Sequence, residues 1–390
     1  MTPSARLQAA IDILAGLDGT AAPADRFMKE WFRDRRFAGS GDRRAIGEFV
    51  FGILRHRFSL AWRMANGSPR GLVIAGLLAE GRDPDTLFAG GYGPPPLDPA
   101  ERQAIAAPPR EAPLWVKGEF PQFLEEELSK RFGSRLLEEM TAFAGRAPVD
   151  LRVNTLKASR DEVLVGLKAD GFDGVAIGSN GIRCPAGSSR LDKHTLFESG
   201  GFEIQDLAAQ IVAERAGAQP GMRLLDLAAG AGGKSLALAA AMRNEGEIIA
   251  CDIRGAALAE LEKRAARAGV SIIRTRILGL PPPGPFDMVF IDAPCSGSGT
   301  WRRQPELKSR LTPPRLAGLH ETQDRLLRQG AEAGGQMIYA TCSILPCENE
   351  APVEAFLVKN PEFRRLQPDF QASPASTGTD GFFAAFLGRN

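Results

Sequence analysis

The stretch from Met222 to Lys234 constrains the fold more than any other. Met222-Arg223-Leu224-Leu225-Asp226-Leu227 is an apolar, strand-like run. Ala228-Ala229-Gly230-Ala231-Gly232-Gly233 is a turn of small residues, and Lys234 opens a helical pattern that reaches Met242. A strand that turns directly into a helix needs a crossover partner strand in the same sheet. The chain supplies several. Glu247–Asp252 reads as a second strand, followed by a helix from Ala256 to Ala268. Ser271–Thr275 is a third strand and Phe286–Ile291 a fourth. A helix from Pro314 to Ala331, a strand Gln336–Ala340 and a helix from Glu348 to Val358 complete the alternation. This pattern predicts a doubly wound, mainly parallel α/β sheet, with ligands at the carboxyl ends of its strands.

The 390 residues exceed what one ordinary core holds, so further domains are expected upstream. Residues 1–90 read as a helical bundle: Ala5–Leu14 has helical apolar spacing, and Asp42 is placed to cap the run that ends at Arg55. Residues 91–113 shift to Gly, Pro and Ala, the composition of a linker. Residues 114–200 mix helical patterns near 121–132 and 134–144 with a strand Val149–Asn154, a helix Ser159–Ala169 and strands near Val175 and Ile182. That order resembles a small α/β RNA-binding module. Residues 201–390 hold the parallel-sheet domain.

Global charge is uninformative at +1, but residues 25–70 carry eleven Arg/Lys against five Asp/Glu, which suits phosphate contact or a solvated helical face equally. The five cysteines form no regular framework, no CxxC pair occurs and the three histidines are scattered. A disulfide scaffold or a structural zinc site is therefore not expected. With no apolar signal core and no stretch near the ~20 apolar residues of a membrane span, a reducing, cytoplasmic setting is the expectation.

The glycine turn allows close backbone approach at a helix N-terminus, and Asp252 ends the next strand, where a carboxylate can accept from ribose hydroxyls. Both suit a nucleoside cofactor. S-adenosylmethionine and a nicotinamide dinucleotide remain alternatives here, although Ser235 stands where the dinucleotide fingerprint needs glycine. The cysteines narrow the choice. Asp292-Ala293-Pro294-Cys295-Ser296-Gly297-Ser298-Gly299 follows the fourth strand, and Tyr339-Ala340-Thr341-Cys342-Ser343 follows the fifth. Cytosine C5 is a poor nucleophile until a thiolate adds to C6. A site for that chemistry needs a reactive thiol, a carboxylate near the ring and an adjacent cofactor pocket. Cys184 and Cys251 read instead as buried small apolar residues, and Cys347 as structural.

The turn 226–234, the Asp292–Gly299 loop and Ala340-Thr341-Cys342-Ser343 resemble the motifs of the Sun/RsmB-type RNA cytosine-C5 methyltransferases. Leu151–Lys157, Ile204-Gln205-Asp206 and Asp380–Ala385 add to the likeness, and the helical N-terminus with Glu48–Arg55 resembles the NusB-like domain of bacterial ribosomal members. The resemblance implies a NusB-like RNA-binding bundle, a small α/β RNA-binding module and a C-terminal Rossmann-like methyltransferase domain. It implies methylation of cytosine C5 in RNA, with 16S ribosomal RNA as the expected substrate, by a monomeric, metal-free protein. It assigns Cys342 as the nucleophile that adds to C6 and Cys295 as the thiol that assists release. The family of DNA enzymes uses the Pro-Cys thiol as nucleophile, and chemistry alone does not choose between the two. By the same resemblance, Asp292 holds the cytosine edge or the cofactor's amino end. Ala228, Ala229, Gly230, Ala231, Gly232, Gly233 and Lys234 contact S-adenosyl-L-methionine, and Asp252 its ribose. The family usually has Cys and Pro at the positions of Ala228 and Ala231, and an acid after the third strand where this chain has Arg276-Ile277-Leu278-Gly279-Leu280. The rival expectations are a transfer-RNA enzyme, a nicotinamide-dependent oxidoreductase and a non-catalytic RNA-binding assembly factor.

Overall fold

The structure is a computed structural model and describes residues 1–108, 110–279 and 284–389. It divides into two compact units, residues 1–145 with 301–312, and residues 146–300 with 313–390.

Among its described residues the first unit holds helices and no strand, with helices Pro3–Asp18, Ala24–Arg33, Ser40–Arg55, Arg57–Met64 and Pro69–Ala79 around a core that includes Ile13, Leu14, Val50, Ile53 and Leu72. Thr2 and Ser68 cap two of these helices through their hydroxyls. Asp42 was expected as a cap and lies one turn later instead. Gly39 is the N-cap, and Asp42 reaches back to accept from the Gly39 amide at 3.1 Å and from Arg6 Nε at 2.8 Å. An acid at the third helical position satisfies an orphan amide as well as a cap does. A helix Pro99–Ala106, capped by Asp98, falls within the Gly/Pro-rich stretch. The segment 301–312 completes this unit: Glu306 accepts from the Ala24 amide at 2.9 Å, and Arg310 donates to Ala22 O and Leu17 O.

The second unit holds two sheets. The smaller contains β1 (Val149–Val153), β2 (Val175–Ile177), β3 (Gly181–Cys184) and β4 (Phe202–Ile204), all antiparallel, in the order β2-β3-β1-β4. Helix Arg160–Ala169 packs Val163 and Leu167 onto Leu151, Ile182 and Phe202.

The larger sheet is the doubly wound one. Its strands are β5 (Arg223–Asp226), β6 (Glu247–Asp252), β7 (Ile273–Ile277), β8 (Phe286–Asp292), β9 (Gly334–Thr341), β10 (Phe363–Arg365), β11 (Phe370–Ala372) and β12 (Phe382–Arg389). The order is β10-β12-β9-β8-β5-β6-β7, with β11 also paired to β12. β5 through β9 are parallel and β12 runs antiparallel to β9. Both faces are buried, so the strands carry continuous apolar runs rather than alternation. Leu224, Ile248, Met288, Phe290 and Ile338 pack on one face with helices Leu207–Arg215 and Gly233–Ala241. Leu225, Val289, Ile291 and Tyr339 pack on the other with helices Pro313–Ala333 and Glu350–Lys359. Chain order reverses between β5 and β8, which makes the gap above their carboxyl ends the expected ligand crevice. Among the described residues, no helix is long and apolar enough to cross a membrane.

Candidate active site

Two loops face each other above β8 and β9. The first leaves β8 at Asp292, where the Ala293 amide donates to Ala340 O at 2.8 Å and holds the two strand ends in step. The glycines that follow do different work. Gly297 has φ +68°, a conformation open to glycine. Gly299 is required for space: a Cβ there would overlap the Gly381 carbonyl and lie 2.8 Å from Cys342 O. The Gly299 amide donates to Cys342 O at 2.9 Å, and Gly381 donates to Gly299 O at 2.8 Å. The backbones at 299, 342 and 381 are thus laid against one another. This brings Cys295 Sγ to 3.4 Å from Cys342 Sγ, although 47 positions separate them.

Beneath the sulfurs lies a buried polar network. Glu348 Oε1 accepts from the Ser296 amide at 2.7 Å and from Gln323 Nε2 at 3.2 Å. Its Oε2 accepts from Ser296 Oγ at 2.5 Å and Ser343 Oγ at 2.6 Å. Asn349 Nδ2 donates to Ser343 O, and Thr341 Oγ1 donates to Asn349 Oδ1. The hydrogen bond to Cys342, burial and the Glu348 charge together hold the Cys295 thiol well above the ordinary cysteine range, so it stays protonated near neutrality.

The glycine turn lies on the other side of the crevice. Gly230 and Gly232 have φ +55° and +80°, and Gly232 caps helix Gly233–Ala241. Ala229 donates to Cys251 O at 2.9 Å, Arg264 Nη1 donates to Ala231 O at 2.6 Å and Arg152 Nη1 to Gly233 O at 2.6 Å. Lys234 Nζ meets Asp292 Oδ2 at 2.6 Å and sits 5.0 Å from the Phe382 ring centroid. Burial works against the lysine's charge, but Asp292, Cys342 and Asp226 outweigh it and hold the ammonium above its usual range. Asp226 at the end of β5 accepts from Ser235 Oγ at 2.6 Å, and burial pushes its carboxyl up to about 7. Asp252 Oδ2 accepts from the Gly230 amide at 2.9 Å and from Arg254 Nη2, while Oδ1 accepts from Arg254 N and Nε.

The structure therefore brings together Asp292, Cys295, Cys342 and Lys234, with residues 228–233 and Asp252 on the same sheet edge. Cys184 and Cys251 are buried, and burial pushes the Cys251 thiol up to about 11. After β7, Leu278 donates to Asp252 O and packs on the core, and Leu280 lies outside the described residues. Sequence reasoning missed Glu348, Gln323 and Arg254. Each thiol is followed by serine, Cys295-Ser296 and Cys342-Ser343, and that repeat is the signal that could have exposed the shared acceptor. Among the described residues no group of three or more His, Cys, Asp or Glu side chains could hold a metal.

Residues 216–388 match the family model of the 16S rRNA methyltransferase RsmB/F, and residues 120–184 match its ferredoxin-like domain. A probable ribosomal RNA small subunit methyltransferase B of Synechocystis is 32% identical over 295 residues, covering 69% of this chain and 66% of that protein. The Bacillus subtilis protein of the same description is 30% identical over 311 residues, covering 72% and 68%. The matches thus span about two thirds of these relatives' length. The crystal structure of a methyltransferase homologue from Pyrococcus horikoshii shares the fold, with TM-score 0.62 and 24% identity over 71% of this chain and 97% of that one. This chain belongs to the RsmB/F family of 16S rRNA methyltransferases, a family of S-adenosylmethionine-dependent enzymes.

Proposed function

We propose that this protein methylates C5 of a cytosine in RNA, with small-subunit ribosomal RNA as the substrate, through a covalent adduct between Cys342 and cytosine C6. The observation that carries this reading is the pair of thiols 3.4 Å apart at the ends of adjacent strands, beside a glycine turn at the point where strand order reverses.

The residues on the crevice fit a nucleoside cofactor by their donor set. Asp252 offers carboxylate lone pairs for ribose hydroxyls, and the Arg254 side chain now on it is 67% exposed. Asp292 offers a carboxylate for an amino group or for the cytosine edge. Bound S-adenosylmethionine supplies an electrophilic methyl group. Cys342 Sγ forms the bond to C6, which makes C5 nucleophilic toward that methyl. The Cys295 thiol, 3.4 Å away, is placed to hydrogen-bond that sulfur. Once Cys342 is a thioether, Cys295 gives up its proton to solvent, and its thiolate takes the C5 proton and returns to the thiol. The C6–S bond then breaks, and Cys342 leaves as the thiolate. Lys234, paired with Asp292, places a cation beside this anionic chemistry.

The same reading gives the helical residues 1–90 and the module 114–200 to RNA binding, joined by 91–113, and residues 201–390 to catalysis, in a monomeric protein of the cytoplasm. The test is methyl transfer from labelled S-adenosylmethionine to 16S ribosomal RNA taken from cells lacking the gene. Labelled 5-methylcytosine is expected with the wild-type protein and none with Cys342→Ala. Label in transfer RNA alone, or in a base other than cytosine, would overturn the assignment.

A further inference from the structure

We propose that Glu348 is a positioning residue for this reaction: its buried carboxylate ties together the residue after each cysteine and thereby sets the geometry of the two thiols. The inference rests on the reading that Cys295 and Cys342 act on the pyrimidine. Glu348 is completely buried, so it acts through Ser296 and Ser343.

The bonding suits a carboxylate. An ionised carboxylate accepts at about four lone-pair sites and donates at none. Glu348 meets four donors: the Ser296 amide, Ser296 Oγ, Ser343 Oγ and Gln323 Nε2. Gln323 Nε2 also donates to Pro294 O at 3.0 Å, so the residues on both sides of Cys295 are held from the same point. Asn349, the next residue, does the equivalent for Cys342 by binding Thr341 and Ser343 O. Tyr339 pins the Glu348 backbone by donating to its carbonyl at 2.7 Å. The serines are bridged further by Ser298 Oγ, 3.0 Å from Ser343 Oγ. A buried charge costs stability that an apolar residue of the same shape would not. A cross-link spanning 52 positions and ending beside both sulfurs is better explained by their alignment than by fold maintenance. The charge of Glu348 also helps keep the Cys295 thiol protonated.

The test compares full-length wild type, Glu348→Gln, Glu348→Ala and Ser343→Ala. Glutamine can turn its amide nitrogen toward the two hydroxyls, which rotate to accept, so it keeps the link without the charge. Glu348→Gln should stay within about tenfold of wild-type kcat, a loss of one modest hydrogen bond. Glu348→Ala should lose on the order of 100-fold in kcat, as a displaced reacting group does, with KM for RNA unchanged. Ser343→Ala removes one leg and should cost roughly tenfold in kcat, which keeps the proposal testable if Glu348→Ala does not fold. In parallel, iodoacetamide alkylation of Cys295 and Cys342, followed peptide by peptide against pH, should lose its wild-type pattern in Glu348→Ala and keep it more closely in Glu348→Gln. If Ser343→Ala and any folded Glu348→Ala lower only the melting temperature, with kcat per folded molecule and the alkylation profile unchanged, Glu348 is structural and the proposal fails. If the wild type itself transfers no methyl to RNA, the underlying reading fails, and the alkylation profiles still decide whether Glu348 sets the thiol pair.

Discussion

The two sides of the crevice are built by opposite means. On the side proposed for the cofactor, above β5 and β6, the surface is backbone shaped by Gly230 and Gly232, and the Asp252 carboxylate is met by an arginine that is mostly in solvent. On the thiol side, above β8 and β9, Ser298, Thr341, Ser343, Glu348 and Asn349 are all fully buried and bonded to one another. A site that must admit a nucleoside and release it each turnover benefits from exchangeable contacts. One that must return a sulfur to the same place after a covalent cycle benefits from a satisfied buried network. Substitutions on the two sides should therefore be felt differently.

The largest effect should come from the thiol side. Cys342→Ala should reduce methyl transfer by at least ~10⁴-fold, as loss of a nucleophile does. Calorimetry on the same variant should show S-adenosylmethionine affinity within about twofold of wild type, since no lost contact is worth more than a few tenths of a kcal/mol. A parallel loss of cofactor binding would mean the two sides are not separable.

Asp226 lies between the sides, at the end of β5, and gives a pH test. Its folded value of about 7 lies above the ordinary 3.8, so protonation favours the folded state. That contribution is complete below about pH 4, declines as pH rises through 7 and is absent beyond it. Asp226→Asn, which still accepts from Ser235, should therefore be close to wild type near pH 4. At pH 8 it should be the more stable protein by up to ~4 kcal/mol in denaturant unfolding. A constant difference across pH would show that Asp226 is not a buried, reluctantly charged acid.

Gly299→Ala should cost about 2–3 kcal/mol of stability by forcing apart the backbones at 342 and 381. Gly297→Ala, which meets the strain of a positive φ, should cost about 1 kcal/mol. Equal costs would contradict the distinction drawn between these two glycines. On the side proposed for the cofactor the expected effect is one of affinity. Asp252→Ala should weaken S-adenosylmethionine binding by roughly 10–100-fold, the loss of charge-assisted hydrogen bonds, and leave iodoacetamide alkylation of both thiols unchanged.

Much of this arrangement was legible in the chain. The parallel sheet followed from apolar runs such as Phe286–Ile291 alternating with helical periods, because a sheet covered on both faces needs such strands. Its third strand lies at Ile273–Ile277, two residues later than the pattern of Ser271–Thr275 suggests, since an edge strand has a weaker apolar signal. The glycine turn and the two cysteine loops were visible because their chemistry is local. Glu348 was not, because an acid after Leu345-Pro346-Cys347 reads as the first residue of a helix. Only the fold reveals that Ser296, 52 positions earlier, points at it. The association of 301–312 with the N-terminal helices is equally silent in the sequence, since it depends on Glu306 and Arg310 meeting helix ends almost 300 positions away.

The central claim is that Cys342, and not Cys295, bonds to the pyrimidine. The direct measurement uses unmodified substrate RNA with 5-fluorocytidine at the target position, where the fluorine cannot be removed as a proton is and the adduct persists. After incubation with wild-type protein and S-adenosylmethionine, nuclease and protease digestion and mass spectrometry should find the nucleotide on the peptide containing Cys342. A nucleotide on the Cys295 peptide, with Cys342 unmodified, would contradict the account.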